Sequence, residues 1–442
     1  MSQEVHIMKY DVVVVGGGPG GLVAAKTAAE DGLKVLLIER KKNLTEVNRT
    51  CGQTFFLAGK YKGATESGIY CYRDPARIEI GPNTNRFVYP QGFAIEYKGP
   101  IVPYYNTYHY SPAGHRIGKY PDGNEDPYGF FYDKETLLAC LLAQAEKAGV
   151  EVRQGTIGLR AEDTGRSVRI VAHSGTTEEV IDARYAVAAD SNNSVIVDSL
   201  GLNKDRPLVA PPMKVTGYIM EGLENHPRNC WLSFCIPSIS PRTDILMFTV
   251  AGGRMMVVGG PAEGSLQPKA MIEKFMKHST YAEWFKRASV YRETACTIHM
   301  RLPLKVPAVG NVVVVGDAGA PYETLIQGAM ASGYLAVKAI EKEANGQNGY
   351  AEYVNWWQNA FEFNDPTFFK TTARYMFMNT LCTDEDVDYL YKLFKGWVGV
   401  SQLIVSRNLE RVKEGRPELY RKLKEKGVDR LGLDIGDVWK GK

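Results

Sequence analysis

The chain opens on a sharply bounded apolar block. Valines occupy 12–15 in a row, between Tyr10-Asp11 and a glycine run, and so short an unbroken stretch predicts a strand buried on both faces. An alanine-rich segment over 22–31 predicts a helix that Gly32 stops, and 33–38 predicts the next buried strand. Leu137, Leu138, Leu141, Leu142 and Ala145 recur at helical spacing within 133–149, with Gly149 as the stop and a strand over 150–153. Alternation predicts strands through 166–188. Runs rich in Val, Phe and Met predict strands at 213–220, 229–236, 244–251 and 254–259, with Gly252-Gly253 as a hairpin turn and Gly259-Gly260 as a strand end. Valines at 312–315 predict another buried strand, and a helix over 326–344 follows Pro321.

After 346 the pattern is mostly helical to 426 and rich in aromatics, from Trp356 and Trp357 to Tyr375 and Phe377. Tyr389, Leu390, Leu393, Phe394 and Trp397 share one helical face there. Core packing is the expected use, and a membrane-lying stripe flanked by Lys392 and Lys395 is the alternative. Over 97–132 periodicity fails. Tyr97, Tyr104, Tyr105, Tyr108, Tyr110, Tyr120, Tyr128 and Tyr132 stand among glycines and prolines, which predicts an irregular loop laying its rings on a sheet, or a pocket lid. His109 and His115 read as solvated loop residues in that segment.

At 442 residues the chain exceeds one simple core, so two or three domains are expected. A net charge of +3 without a block of like charges leaves no footprint for nucleic acid, and Arg40-Lys41-Lys42 reads as a solvated loop. The seven cysteines are scattered, with neither C-x-x-C nor ferredoxin spacing, so no metal site is expected. An odd, dispersed set suits reduced thiols in a cytoplasmic compartment. The first residues lack the apolar core of a secretory signal, and no window reaches the roughly 18 apolar residues of a membrane span. Peripheral contact with a membrane stays open on this reading.

Candidate chemistry begins where the first strand ends. Gly16, Gly18 and Gly21 make G-x-G-x-x-G, with Pro19 and Gly20 inside it. Gly16 allows the tight turn, Gly18 lets backbone approach a pyrophosphate, and Gly21 lets the helix pack on the sheet. The helix N-terminus offers free N–H groups to the phosphates. Glu39, with Arg40 beside it, ends the second strand 23 residues after Gly16, where a carboxylate accepts from a ribose 2′-OH and repels a 2′-phosphate. Strand, helix, strand and acid in this order predict a dinucleotide site disfavouring NADP.

A second signature, 300 residues later, decides which dinucleotide. Gly316-Asp317 ends the strand over 311–315, and Gly328-Ala329-Met330-Ala331-Ser332-Gly333 follows in the next helix. An acid at a strand end can accept hydrogen bonds from a polyol, and a helix N-terminus can face the electron-rich edge of a flavin. The ribityl chain of FAD is such a polyol, and NAD has none.

These residues carry a resemblance. The chain is similar to flavoproteins of the p-hydroxybenzoate hydroxylase plan and, within them, resembles the geranylgeranyl reductase family. Its Gly316-Asp317-Ala318 and Gly328 to Gly333 segments match the family's closing motif, and Arg49-Thr50-Cys51-Gly52 matches the family's Arg-x-Cys-Gly segment near the flavin. Ala189-Asp190-Ser191-Asn192-Asn193-Ser194 matches the middle Ala-Asp-Gly-x-x-Ser motif, except that Ser191 replaces glycine; that turn must avoid positive φ or be distorted. Residues 132–138 resemble the opening of the family's middle helix, although Phe130, Phe131 and Tyr132 stand where its arginine is expected. The match covers roughly half the chain and is poor over 73–129 and 205–294, the parts that choose a substrate.

The resemblance implies an α/β protein: a Rossmann-type FAD-binding domain of the glutathione reductase/p-hydroxybenzoate hydroxylase kind, an inserted mixed-sheet substrate domain and a helical C-terminal region. The expected boundaries are 1–72, 130–202 and 295–345 for FAD, 73–129 and 203–294 for substrate, and 346–442 for the C-terminal part. It implies reduction of C=C bonds on an apolar, prenyl-type or lipid substrate. Cys51, Tyr322 and Glu323 are the catalytic candidates, as thiol or proton donors near the ring. FAD-binding candidates are Gly16, Gly18, Pro19, Gly20, Gly21, Glu39, Arg40, Arg49, Cys51, Gly52, Asp190, Gly316, Asp317, Gly328 and Ala329. An external donor (ferredoxin, flavoprotein or NAD(P)H) must supply electrons, because only one Rossmann turn is present. An aromatic monooxygenase, an electron-transfer dehydrogenase linked to quinone and a flavin-binding structural subunit are the alternatives. A halogenase is disfavoured because Trp231 to Pro237 only partly echoes the Trp-x-Trp-x-Ile-Pro run.

Overall fold

A computed structural model describes residues 9–57, 72–117, 127–262, 264–397 and 399–430. Cys71 and Tyr120 lie outside the described residues. The Tyr10–Val15 strand sits inside an eight-stranded sheet ordered Glu151–Gln154, Val35–Glu39, Tyr10–Val15, Thr177–Ala188, Val168–Ser174, Thr156–Asp163, with Val312–Val314 and Ala308–Val309 joined at its side. The first four strands run parallel. The long Thr177–Ala188 strand changes partner halfway. Its first part pairs antiparallel with Val168–Ser174, and Ala186–Ala188 pairs parallel with Val312–Val314.

This explains the unbroken valine run. Val12 and Val14 enter the core beneath the helices Pro19–Glu30, Lys134–Lys147 and Leu325–Ala344, while Val13 and Val15 enter the core on the opposite face. With both faces covered, no polar position is tolerated between them.

A second, seven-stranded sheet is ordered Ser289–Ile298, Met213–Glu221, Arg254–Gly259, Ile245–Val250, Cys230–Phe234, Asn106–Tyr110, Arg116–Ile117. The tyrosine-rich segment is therefore not an irregular loop. Ile101–Tyr104, Asn106–Tyr110 and Gly129–Tyr132 are strands, and Asn106–Tyr110 pairs in parallel with Cys230–Phe234, far away in sequence. A pairing supplied from so far along the chain leaves no local signature, and the glycines and prolines hid it further. The helix Pro268–His278 also lay unpredicted between strands; Pro268 occupies its first turn, and Met271, Ile272 and Phe275 bury one face.

In the C-terminal part, Leu390 and Phe394 are fully buried, and Tyr389, Leu393 and Trp397 pack partly buried against the same core. The aromatic stripe is core, not a membrane-facing surface. Among the described residues no helix is long and apolar enough to cross a membrane.

Trp357 joins this region to the Rossmann layers. It is fully buried, its indole N–H donates to the Leu304 carbonyl at 2.9 Å, and its ring fills the space beside Gly319. We expect Trp357→Ala to cost about 3–5 kcal/mol of unfolding free energy in urea titrations. A loss under about 1 kcal/mol would show that the C-terminal part is not joined through this ring.

Candidate functional site

Two helix N-termini meet at a cavity of about 680 Å³, a size suited to a cofactor. Of the residues singled out from sequence, Gly16, Gly18, Pro19, Gly20, Gly21, Glu39, Arg40, Arg49, Cys51, Asp190, Gly316, Asp317, Tyr322, Glu323 and Ala329 line it. Gly52 and Gly328 stand off the wall. Gly52 faces Trp231, and a Cβ on Gly328 would strike the Phe361 ring at 2.4 Å. Gly328 thus serves the packing of the C-terminal aromatics.

The cavity exists because backbone packs on backbone. A Cβ on Gly21 would lie 1.9 Å from the Gly16 carbonyl oxygen, and one on Gly333 2.1 Å from that of Gly20. The first contact seats the helix on its own turn, and the second lets the helices Pro19–Glu30 and Leu325–Ala344 cross closely. Ser332 helps: its hydroxyl donates to the Ala329 carbonyl at 2.9 Å and accepts from the Gly316 N–H at 3.0 Å.

Gly18 is different, and it tests whether the cavity fits a nucleotide. Its φ of −72° is open to any residue, and a Cβ there would meet no protein atom within 4 Å. Neither conformation nor packing demands glycine, so the demand comes from what fills the cavity. The helix beginning at Pro19 has no side-chain cap and no acid in its first turn, which leaves its N–H groups for an anion. A pyrophosphate fits both facts. Glu39 accepts from the N–H groups of Gly17 at 2.7 Å and Lys41 at 2.9 Å, which fixes its carboxylate on the wall with lone pairs to spare for a ribose. Ile157 and Leu159, exposed and apolar, line the same cavity and offer a flat base a surface.

The other end gathers charge. One Asp317 oxygen accepts from the Thr324 N–H and hydroxyl at 2.9 and 3.1 Å, and the other lies 4.0 Å from Arg49. Burial works against the Arg49 charge, but the pull of Asp317, Cys296, Cys51 and Glu323 outweighs it and raises the pKa. Glu323 lines the cavity and its side chain is accessible there. Desolvation first, then the Asp317 charge, pushes its carboxyl up to about 7, against Arg49 and Lys134. Lys134 donates to the Cys51 sulfur at 3.4 Å. Tyr322 stacks on Phe368, with ring centroids 6.0 Å apart. Asp190 lines the cavity, and its carboxylate accepts from the Ser194 hydroxyl and the Ile196 N–H and so holds its own turn.

Over Cys51-Gly52 stands an aromatic wall. Trp231 stacks on Phe248 at 4.6 Å and meets Phe56 at 6.1 Å; Leu325 packs against this cluster and lines the cavity. His109 is remote from it. Rather than being solvated it is buried at the join with the C-terminal helices, beside the Ser401 hydroxyl, and burial pushes its pKa down to about 4. His115 does not line the cavity either.

Sequence reading missed Lys134, Cys296 and Arg206. Arg206 is buried without a carboxylate and donates to the carbonyls of Leu302, Ala318, Gly319 and Ala320, clamping the chain just after Asp317. Burial, with Arg301 nearby, lowers its pKa to about 10. Apart from the Asn203 side-chain oxygen, which it also meets at 3.0 Å, its partners are main-chain carbonyls, and no local motif announces such a residue.

Comparison with known proteins agrees with this geometry. Residues 11–44 match the family described as FAD dependent oxidoreductase, and 119–222 match the FAD binding domain family. The chain is 28% identical over 345 residues to a digeranylgeranylglycerophospholipid reductase of Methanocella arvoryzae, covering 75% of this chain and 77% of that one. It is 24% identical over 436 residues to one from Thermoplasma volcanium, covering 94% and 99%. Among solved structures, a geranylgeranyl bacteriochlorophyll reductase-like protein of Thermoplasma acidophilum superposes with a TM-score of 0.65 at 19% identity, covering 94% and 98%. The flavin-dependent halogenase CmlS superposes with 0.60 at 14% identity, covering 97% and 72%, so the fold itself serves several chemistries. The cofactor is FAD.

Two glycine substitutions separate ligand space from protein packing. Gly18→Ala is expected to leave the melting temperature of the apoprotein unchanged and to weaken FAD at least tenfold in fluorescence titration. Gly21→Ala is expected to lower apoprotein stability as well. Unaltered FAD affinity in Gly18→Ala would remove the pyrophosphate from this turn.

Proposed function

We propose that this chain, an FAD-dependent oxidoreductase of the geranylgeranyl reductase family, saturates C=C bonds on the prenyl chains of a lipid. The observation that carries this reading is one cavity end where Leu325 and Ile326, with the aromatic cluster of Phe56, Trp231 and Phe248 packed behind Leu325, stand beside an acid, Glu323, with a pKa of about 7. An isolated double bond offers nothing to hydrogen-bond, so it is held by apolar surface. Its reduction needs one hydride and one proton. Reduced FAD, when bound, supplies the hydride; an external donor, a ferredoxin, a flavoprotein or NAD(P)H, restores the electrons.

The protein's part is to hold, orient and protonate. Leu325 and Ile326, with Trp231 and Phe248 packed behind Leu325, exclude water along the chain. Glu323 keeps its proton to about pH 7 and is the donor to the carbon that does not receive hydride. Arg49 and Lys134 stabilise the carboxylate left behind. Cys51, held by Lys134, borders the same end and orders the approach of the chain; Tyr322 closes the side toward the C-terminal helices. The names of the relatives, lipid reductases matched over most of their length, support a lipid substrate. Such a substrate makes peripheral contact with a membrane part of this proposal.

The test is anaerobic. Reduced holoenzyme mixed with a prenylated glycerophospholipid should reoxidise with saturated product, and the rate should fall about tenfold per pH unit above about 7 as Glu323 loses its proton. Glu323→Gln should slow that step by about 10²–10⁴ and abolish the alkaline limb, with FAD retained. Cys51→Ala should slow it less. Reoxidation only by O₂ in the presence of an aromatic ligand would instead mean a monooxygenase.

A further inference from the structure

The turn after the Thr177–Ala188 strand contains a contradiction. Ser191 has φ +75°, a left-handed conformation that glycine adopts without strain and serine does not. The turn does not need this serine for its own integrity. Asp190 accepts from the Ser194 hydroxyl and the Ile196 N–H, and the Ser194 hydroxyl in turn accepts from the Val197 N–H and caps the short helix that follows. Every local backbone duty in the turn is thus carried by Asp190 and Ser194, leaving the Ser191 hydroxyl for something outside it. That something is Arg49, 142 residues away, whose guanidinium donates to the Ser191 oxygen.

Arg49 needs such a partner. Its nearest carboxylate in this cavity, Asp317, stays 4.0 Å away and already spends one oxygen on Thr324. With four rotatable bonds and a carboxylate only at the edge of ion-pair reach, Arg49 gains a fixed orientation from a second anchor. Ser191 is a fixed point on the opposite strand end, and both residues line the cavity.

We propose that Ser191 is a positioning residue: it holds the Arg49 guanidinium at the flavin end of the cavity, and the backbone strain at Ser191 is kept for that purpose. A guanidinium fixed there favours the reduced, more electron-rich cofactor over the oxidised one. This rests only on FAD occupying the cavity and not on the identity of the reducible substrate.

The experiment uses the FAD-loaded enzyme without substrate and reads three quantities: melting temperature, FAD dissociation constant and midpoint potential by dye equilibration. Ser191→Gly relieves the strained φ and removes the hydroxyl; Ser191→Ala keeps the strain and removes the hydroxyl; Ser191→Asn keeps an acceptor in a residue tolerant of this conformation. Ser191→Gly is expected to raise the melting temperature yet lower the preference for the reduced form about tenfold, roughly a 30 mV fall for a two-electron couple. Ser191→Ala should lower the potential likewise without the gain in stability, and Ser191→Asn should recover part of it. In an Arg49→Gln background the effect of Ser191→Gly on potential should vanish, since the two act through one contact. An unchanged potential in both Ser191→Gly and Ser191→Ala overturns the proposal. So does a full shift persisting in the Arg49→Gln background, or loss of FAD by Ser191→Gly where Arg49→Gln retains it. Failure of lipid reduction with these potentials behaving as expected would count against the substrate reading alone.

Discussion

Everything at the site depends on two helices being able to cross with their backbones in contact. Gly20 and Gly333 each sit where a Cβ would lie under 3.0 Å from a main-chain oxygen of the other helix. That closeness brings two helix N-termini, at Pro19 and Leu325 and so far apart in sequence, to one cavity. Their dipoles and unpaired N–H groups then add rather than compete. Any side chain at those positions would move one helix away and disperse the field that makes the cavity a nucleotide site.

The charged end follows from the same geometry. Between Gly316-Asp317 and the Leu325–Ala344 helix, Glu323 lines the cavity, where desolvation and Asp317 favour its neutral form. Two further left-handed residues that are not glycine, Ser191 and Leu325, line that end. Strain gathered at one cavity, with a polar contact at Ser191 and an apolar one at Leu325, is the pattern expected where a fold holds side chains in place for chemistry. Arg206 and Trp357 back the turn from behind, one through carbonyls of Ala318, Gly319 and Ala320, the other by filling space beside Gly319.

The sheet over the cavity shows how far substrate surfaces depend on long-range pairing. Asn106–Tyr110 enters that sheet beside Cys230–Phe234 and carries His109 into the core at the join with the C-terminal helices. The aromatic wall combines Phe56 from near the first motif with Trp231 and Phe248 from two adjacent strands. Such a wall can vary while the glycine contacts stay, and a fold shared with a flavin-dependent halogenase does not by itself fix the reaction.

The cofactor and the class of fold were legible in the chain itself. The glycine turn, the valine strands and Gly316-Asp317 are local features, and their chemistry is fixed by neighbours a few residues away. Ser191 was legible as an anomaly but not as a partner of Arg49. The reach of the tyrosine-rich strands, the burial of His109, the roles of Lys134, Cys296 and Arg206 and the proton affinity of Glu323 were decided only in three dimensions. Each depends on groups brought together from distant segments, and a desolvated charge or a backbone carbonyl leaves no periodic trace in a sequence.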